Sequence, residues 1–119
     1  MGWDTENIPD EDYTYRRINR VHVRTDDGTI RPGAFKPYGF GISVDWARYS
    51  TPQETRDRGG TPQDNAVGQL LSNAVRAIED QTVNHSPLPA NRAHSVIIGR
   101  NTEKIRVLLT RIVEVVIPL

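Results

Sequence analysis

The chain is organised around one segment, Gly39-Phe40-Gly41-Ile42-Ser43-Val44-Asp45-Trp46-Ala47-Arg48-Tyr49-Ser50-Thr51-Pro52. Within it, Ile42, Val44 and Trp46 alternate with polar residues, which predicts a short strand with one apolar and one polar face. The run Thr51-Pro52-Gln53-Glu54 has the residues that begin a helix: threonine at the N-cap, proline at the first helical position and glutamate at the third. We therefore expect a strand that enters the core and is followed by a helix start.

The residues before this segment predict strands and an ordered loop. Residues 13–25 show the period-two alternation of one or two strands, with an interruption at Asn19. Asp26-Asp27-Gly28 supplies turn residues and predicts a tight reversal. Residues 31–41 contain prolines and glycines typical of a loop, which we expect the rings of Phe35 and Phe40 to anchor.

The residues after the segment predict helices. A short helix should end at Gly59-Gly60, and a longer one should run from Thr61-Pro62 to about Asp80. The longer helix rests on apolar residues at three- and four-residue spacing: Val67, Leu70, Leu71, Ala74, Val75 and Ile78.

The C-terminal third predicts a loop, a strand and a last helix. Residues 84–91 contain two prolines and should form a loop, while residues 93–98 should form a strand buried on both faces. Thr102 then caps a helix whose apolar stripe runs from Ile105 to Val116. For residues 113–117, which are rich in branched side chains, a terminal strand is the alternative.

These elements predict an α+β fold, in which a small, mainly antiparallel sheet packs against two longer helices in a single two-layer domain. A chain of 119 residues fits one such domain. Residues 1–12 contain five acidic residues and no basic one, so we predict an acidic flexible tail there, with residues 13–119 forming the domain.

Composition excludes several functional classes. The absence of cysteine rules out disulfides, thiolate nucleophiles and cysteine-ligated metals, and is compatible with a reducing compartment. The 15 basic and 15 acidic residues balance, so no overall charge favours nucleic acid or an anionic membrane. No apolar run is long enough to span a membrane, and the start does not resemble a signal peptide. We expect a soluble cytoplasmic protein without membrane contact or cofactor.

Arginine and histidine cluster in the first predicted strands. Alternation would place Arg16, Arg20, His22 and Arg24 on one face, and arginine forks match phosphate oxygens. These residues therefore predict a ligand-binding face for phosphate groups, with binding of nucleic acid left open. The alternative is a solvated sheet face whose charges meet the acidic tail or neighbouring carboxylates.

His94 and Asp45 are the other candidates for chemistry. His94 begins a strand after a proline-rich loop, where a side chain can reach the rim of a pocket; a hydrogen-bonded structural histidine is the alternative. Asp45 could act as a general base, pair with an arginine or hold the turn after Trp46 through backbone N–H groups. The spacing of the three histidines resembles no zinc-ligand pattern, so we predict no metal site.

The order of short sequence motifs along the chain resembles that of a set of small bacterial proteins of unassigned function. The resemblance covers about residues 16–118 and rests on an arginine pair near His22, on Asp-Gly-Thr-Ile-Arg-Pro-Gly-Ala-Phe at residues 27–35, on Ile42–Trp46, on Thr51-Pro52 and on Asn91-Arg92-Ala93-His94. It implies no activity. It suggests that a set of side chains shares one environment: His22, Phe35, Ser43, Asp45, Trp46 and His94.

Three functional hypotheses follow. The first is a non-enzymatic binding or accessory protein that engages a partner protein or a phosphate-bearing ligand through Arg16, Arg20, His22 and Arg24. The alternative is a small hydrolase or transferase for a phosphate or nucleotide substrate, with His22 and His94 as acid and base, Asp45 orienting one of them and Arg24 holding the anionic charge. The third is a structural subunit that forms a homo-oligomer through its C-terminal helix. The sequence leaves enzymatic activity undecided.

Overall fold

The computed structural model describes residues 2–119. These residues fold around one six-stranded antiparallel sheet. The strands are β1 (Tyr13–Asn19), β2 (Ile42–Trp46), β3 (Asn65–Leu71), β4 (Thr82–His85), β5 (His94–Ile98) and β6 (Glu114–Ile117). They lie in the order β4-β5-β2-β1-β3-β6. The α-helices are α1 (Pro52–Asp57), α2 (Ser72–Arg76) and α3 (Glu103–Ile112), and 3₁₀ helices cover Arg20–His22, Pro32–Phe35 and Pro62–Asp64.

The predicted packing of a small sheet against two longer helices is wrong. Within residues 2–119, α3 is the only helix of seven or more residues. The long helix predicted from Thr61 to about Asp80 is instead strand β3 followed by the short helix α2. The four residues Asn65–Gly68 are all buried, because β3 lies between two strands and is covered on both faces. A strand covered on both faces can carry apolar residues on either face, so the spacing of its apolar residues does not distinguish it from a helix.

Within the segment from Gly39 to Pro52, the strand and the helix start form as predicted. Val44 and Trp46 of β2 are buried in the core. Helix α1 begins with a capping box, in which the Thr51 hydroxyl accepts the N–H of Glu54 and the Glu54 carboxylate accepts the N–H of Thr51. Both predictions are local, since they depend on residues close together in the sequence, and both are confirmed.

The C-terminal helix is shorter than its apolar stripe. Thr102 caps α3 as predicted, accepting the N–H of Ile105, but the helix ends at Ile112. Residues 114–117 form β6, which confirms the alternative of a terminal strand. Ile105 and Leu109 of the stripe are buried in the core of the chain itself.

The loop and strand predictions hold in part. The reversal at residues 26–28 is confirmed, with Gly28 at φ 73 and a bridge between Val23 and Ile30. Strand β5 is confirmed but alternates between buried and half-buried residues, so the expected burial on both faces is wrong. Phe35 is buried as predicted, whereas Phe40 is 82% exposed and anchors nothing.

The N-terminal segment packs against the sheet, where the sequence indicated a solvated tail. Ile8 is 4% exposed and belongs to the core cluster. A carboxylate oxygen of Asp12 accepts the indole N–H of Trp46 at 2.8 Å, and the carbonyl of Asp12 accepts the N–H of Ser72. The segment thus contacts both β2 and the residues that follow β3. Met1 lies outside the described residues.

Candidate functional site: a pocket where β1 and β2 separate

Strand β1 pairs differently with its two neighbours. It pairs with β3 along its whole length, from Tyr13 opposite Leu71 to Asn19 opposite Asn65. Its pairing with β2 has only two register positions, Thr14 opposite Trp46 and Tyr15 opposite Asp45. Beyond Tyr15 the two strands separate, and the gap between them opens a pocket in the sheet.

This pocket, called the seam pocket below, has a volume of about 1010 Å³. Its floor is formed by β1 and β2, and α1 supplies one wall through Thr55 and Arg58. The 3₁₀ helices at Arg20–His22 and Pro32–Phe35, with the loop that follows them, form a second wall. The turn before β5 completes the rim. The volume is in the upper range of pockets that hold small organic ligands.

Arg16 bridges the gap between the separated strands. Its guanidinium donates to the carbonyl of Ala34 through Nε and Nη2, at 3.1 and 2.9 Å, and to the carbonyl of Ser43 through Nη1 at 2.8 Å. A guanidinium has five N–H donors, so two remain for another acceptor. No carboxylate of residues 2–119 lies within ion-pair distance of Arg16. Burial lowers the pKa of Arg16 to about 10, and the neighbouring Arg17 adds to that effect.

The lining of the seam pocket is positively charged. Arg16, Arg17, Lys36 and Arg58 are the cations, and Asp45 is the carboxylate among the described lining residues. With neutral histidines this sums to four positive charges and one negative, or +3, on a chain whose formal net charge is zero. The seam pocket therefore concentrates positive charge that the rest of the chain balances.

His22 lies on the wall of the seam pocket next to Gly33. The space that a Cβ at Gly33 would occupy is 3.1 Å from the His22 ring, so glycine lets this wall come close to the imidazole. Burial lowers the pKa of His22, and the cations Arg16, Lys36 and Arg31 lower it further. This environment therefore favours the neutral form of His22. An anion bound in the seam pocket would favour the protonated form.

Asp45 is buried and fully engaged by neighbouring side chains. Its Oδ2 accepts the hydroxyl of Thr55 and a guanidinium N–H of Arg58, both at 2.8 Å, and its Oδ1 accepts the amide N–H of Asn91 at 2.9 Å. Of the roles weighed from the sequence, this geometry matches the partner of an arginine. It gives Asp45 no hydrogen bond to His22 or His94 within residues 2–119, so the predicted orienting role does not hold in this structure.

His94 lines the seam pocket on the strand next to Asp45. The two residues are register partners across β2 and β5. The Nδ1 of His94 lies 2.7 Å from the carbonyl oxygen of Ser86. Since a carbonyl only accepts, Nδ1 carries the proton, and in the neutral ring Nε2 is the basic nitrogen.

The four predicted ligand-binding cations do not share a strand face. Strand β1 ends at Asn19, whose side chain accepts the N–H of Val21 and turns the chain into a 3₁₀ helix. Arg20 pairs with Asp64 at 3.0 Å, while Arg24 donates to Thr29 and Ile30 and lies near Val115 of β6, outside the seam pocket. The expected strand face is therefore wrong in its geometry. Arg16 and His22 line the seam pocket; ligand binding by Arg20 and Arg24 stays a prediction.

The third histidine, His85, is committed to the fold. Its Nδ1 accepts the N–H of Glu6 at 3.0 Å, and its Nε2 lies 2.7 Å from the carbonyl of Arg92. Residues 2–119 contain no group of three or more histidine, aspartate or glutamate side chains arranged to hold a metal ion.

Several lining residues were missed at the sequence level. Arg17, Lys36, Tyr38 and Arg58 reach the seam pocket from three separate elements. Local pattern gives no signal that these elements meet. The Arg16–Arg17 pair was a partial signal, because two cations in one strand point to opposite faces and one of them must enter the sheet's covered side.

No protein-family model, curated protein or solved structure matches the chain. Across residues 2–119, the helices are too short or too polar to cross a membrane.

Proposed function

We propose that the chain binds a phosphate-bearing small molecule in the seam pocket. The observation that carries the proposal is Arg16, a half-buried guanidinium that lines the pocket with carbonyl partners and no carboxylate among residues 2–119. Removing a cation from water without a counter-ion is costly, and a bound anion would offset that cost.

Phosphate is the anion that these residues suit best. The remaining N–H groups of Arg16 present a planar donor pair, and guanidinium forks match two phosphate oxygens at once. Arg17 and Lys36 add positive charge to the same pocket, and His22 can add a further donor when it is protonated. A single carboxylate ligand would leave part of this charge without a partner.

The test is calorimetric titration with inorganic phosphate, pyrophosphate and organic phosphates at low salt. We expect Arg17→Gln and Lys36→Gln to weaken binding several-fold each, and added salt to weaken it further, since both residues act through charge. Arg111→Gln is the matched control, because Arg111 is exposed on α3 away from the pocket. Absence of binding for every phosphate compound would overturn the proposal.

A hydrolase or transferase acting on a phosphate or nucleotide substrate is the second candidate. It is favoured by His94, whose basic Nε2 belongs to a ring fixed by the Ser86 carbonyl, in the pocket that His22 also lines. The expected result is turnover of a phosphate ester that His94→Gln abolishes without weakening substrate binding. Binding without any turnover would leave the chain a binding protein.

Self-association, a partner protein and a cytoplasmic location stay predictions. Val115 and Val116 of the edge strand β6 are exposed and could contact a second copy. Light scattering at high concentration tests this, and a strictly monomeric mass would contradict it.

A further inference from the structure

Two tight turns form the outer rim of the seam pocket. One joins Tyr38 to Gly41 through a β-bridge, with Gly39 at φ 69 between them. The other joins Leu88 to Asn91, where each backbone N–H donates to the other residue's carbonyl at 3.0 Å. Tyr38 and Leu88, the first residues of the two turns, both line the pocket.

The Tyr38 ring lies at this rim with almost no packing from its own chain. It is 95% exposed, the highest value among the large apolar side chains of the described residues. Phe35, three residues earlier, is fully buried. The loop thus uses one aromatic ring for the core and presents another to solvent at the mouth of a cationic pocket. Small-molecule sites are typically lined by aromatic and apolar side chains beside a few polar groups, and Tyr38 supplies an aromatic ring to this lining.

We infer that the ligand of the seam pocket is a nucleoside phosphate, with its phosphate on Arg16 and its base stacked on Tyr38. This inference rests on the proposed function and names its ligand class. A nucleobase has the planar face that an exposed tyrosine can stack against, and Leu88 offers an apolar surface from the second turn. A phosphate at one end and a flat heterocycle at the other match a pocket with a cationic floor and an aromatic rim.

The charge distribution favours a single nucleotide over a long polynucleotide. A polynucleotide needs a track of cations along the surface. Here the neighbouring cation Arg20 is paired with Asp64, and Arg24 lies outside the seam pocket, near Val115 of β6. Arg16, Arg17 and Lys36 are grouped in the seam pocket and form no ion pair within residues 2–119.

The experiment compares ligands that differ by one part. Wild-type protein is titrated at low salt with the four ribonucleoside monophosphates, ribose 5-phosphate and inorganic phosphate. We expect at least one nucleotide to bind about tenfold more tightly than ribose 5-phosphate, the size of one base–aromatic stack. Tyr38→Ala should remove that advantage and leave the affinity for ribose 5-phosphate unchanged, whereas Tyr38→Phe should keep it.

Phe40→Ala is the matched control. Phe40 is 82% exposed on the same turn as Tyr38 but does not line the seam pocket, so nucleotide affinity should not change. Both substitutions are at exposed positions and should leave the fold intact. Equal affinity for nucleotides and ribose 5-phosphate, or an equal loss with Phe40→Ala, would overturn the inference while the proposed phosphate site stands. Absence of binding by all of these compounds would overturn both.

Discussion

The two sides of β1 show how one strand serves both stability and function. On the side of β3, seven register pairs form a continuous ladder over buried residues. On the side of β2, two pairs form and the strands then separate. Beyond these two pairs the backbone hydrogen bonds between β1 and β2 are absent, and the Arg16 side chain donates to the Ser43 carbonyl across the gap. The continuous β1–β3 pairing, called the closed seam, stabilises the sheet. The interrupted β1–β2 pairing, called the open seam, exposes the hydrogen-bond donors and the positive charge of the seam pocket.

The closed seam should carry the largest stability effect. Ile18 of β1 is 1% exposed and belongs to the core cluster. We expect Ile18→Ala to lower the free energy of unfolding by about 3 to 4 kcal/mol, because it leaves a cavity between packed elements. Val21→Ala, at an exposed position on the pocket wall, should change it by less than about 0.5 kcal/mol. Urea denaturation measures both, and similar effects for the two variants would contradict the comparison.

The N-terminal segment should be the next largest contributor, since it contacts elements on both sides of β1. We expect Ile8→Ala to lower the free energy of unfolding by about 2 to 3 kcal/mol, as for a buried aliphatic side chain. The exposed neighbour Asn7 gives the control variant Asn7→Ala. Hydrogen exchange should also show protection of the Ser72 amide, which donates to Asp12. Rapid exchange there, with no effect of Ile8→Ala, would show a flexible tail.

Asp45 should affect stability and binding in opposite directions. Asp45→Asn removes the partner of Arg58, whose side chain is 30% exposed, and we expect a loss of about 1 to 2 kcal/mol. The same change raises the positive charge of the seam pocket, so phosphate should bind about 2- to 5-fold more tightly. Gln53→Ala, which removes an exposed side chain of α1, serves as the control. Weaker phosphate binding by Asp45→Asn would contradict the view that the Asp45 carboxylate opposes phosphate in the seam pocket.

The smallest effect concerns His22 and pH. Its pKa is lowered in the folded protein, mainly by burial and then by Arg16, Lys36 and Arg31, and Gly33 packs against its ring. The unfolded chain therefore binds the proton more readily, and stability is lost as the pH falls from the unfolded pKa towards the folded one. A bound phosphate favours protonated His22, so its affinity should rise over the same fall in pH.

The His22→Gln variant tests this coupling, because glutamine does not titrate. It should flatten the pH profile of stability in urea denaturation and reduce the pH dependence of phosphate affinity. Profiles that keep their slope in His22→Gln would assign the effect to other groups.

The sequence predicted those features that depend on neighbouring residues. The alternation in Ile42–Trp46 and the capping box at Thr51 are of this kind, and both are confirmed. The β3 prediction was wrong because the strand is covered on both faces, which local periodicity does not reveal. Gly68 was a usable signal, since glycine in a helix interior costs about 1 kcal/mol.

The site was predictable only in part for the same reason. The arginine-rich composition of residues 16–24 indicated an anion site, but the positions of its members depend on where β1 ends. Asn19 redirects the chain there, and it separates Arg20 and Arg24 from Arg16. The contributions of Lys36 and Tyr38 depend on pairing between distant strands, which a single sequence does not specify.

The most direct test follows the guanidinium of Arg16 during ligand titration. The Nε–H resonances of the arginines can be observed by NMR and the Arg16 signal assigned with Arg16→Lys. The account predicts that nucleotide or phosphate shifts the Arg16 signal in a saturable way with the same dissociation constant as calorimetry, while the Arg111 signal stays in place. Saturable binding that leaves the Arg16 signal unmoved would contradict the claim that the open seam is the binding site.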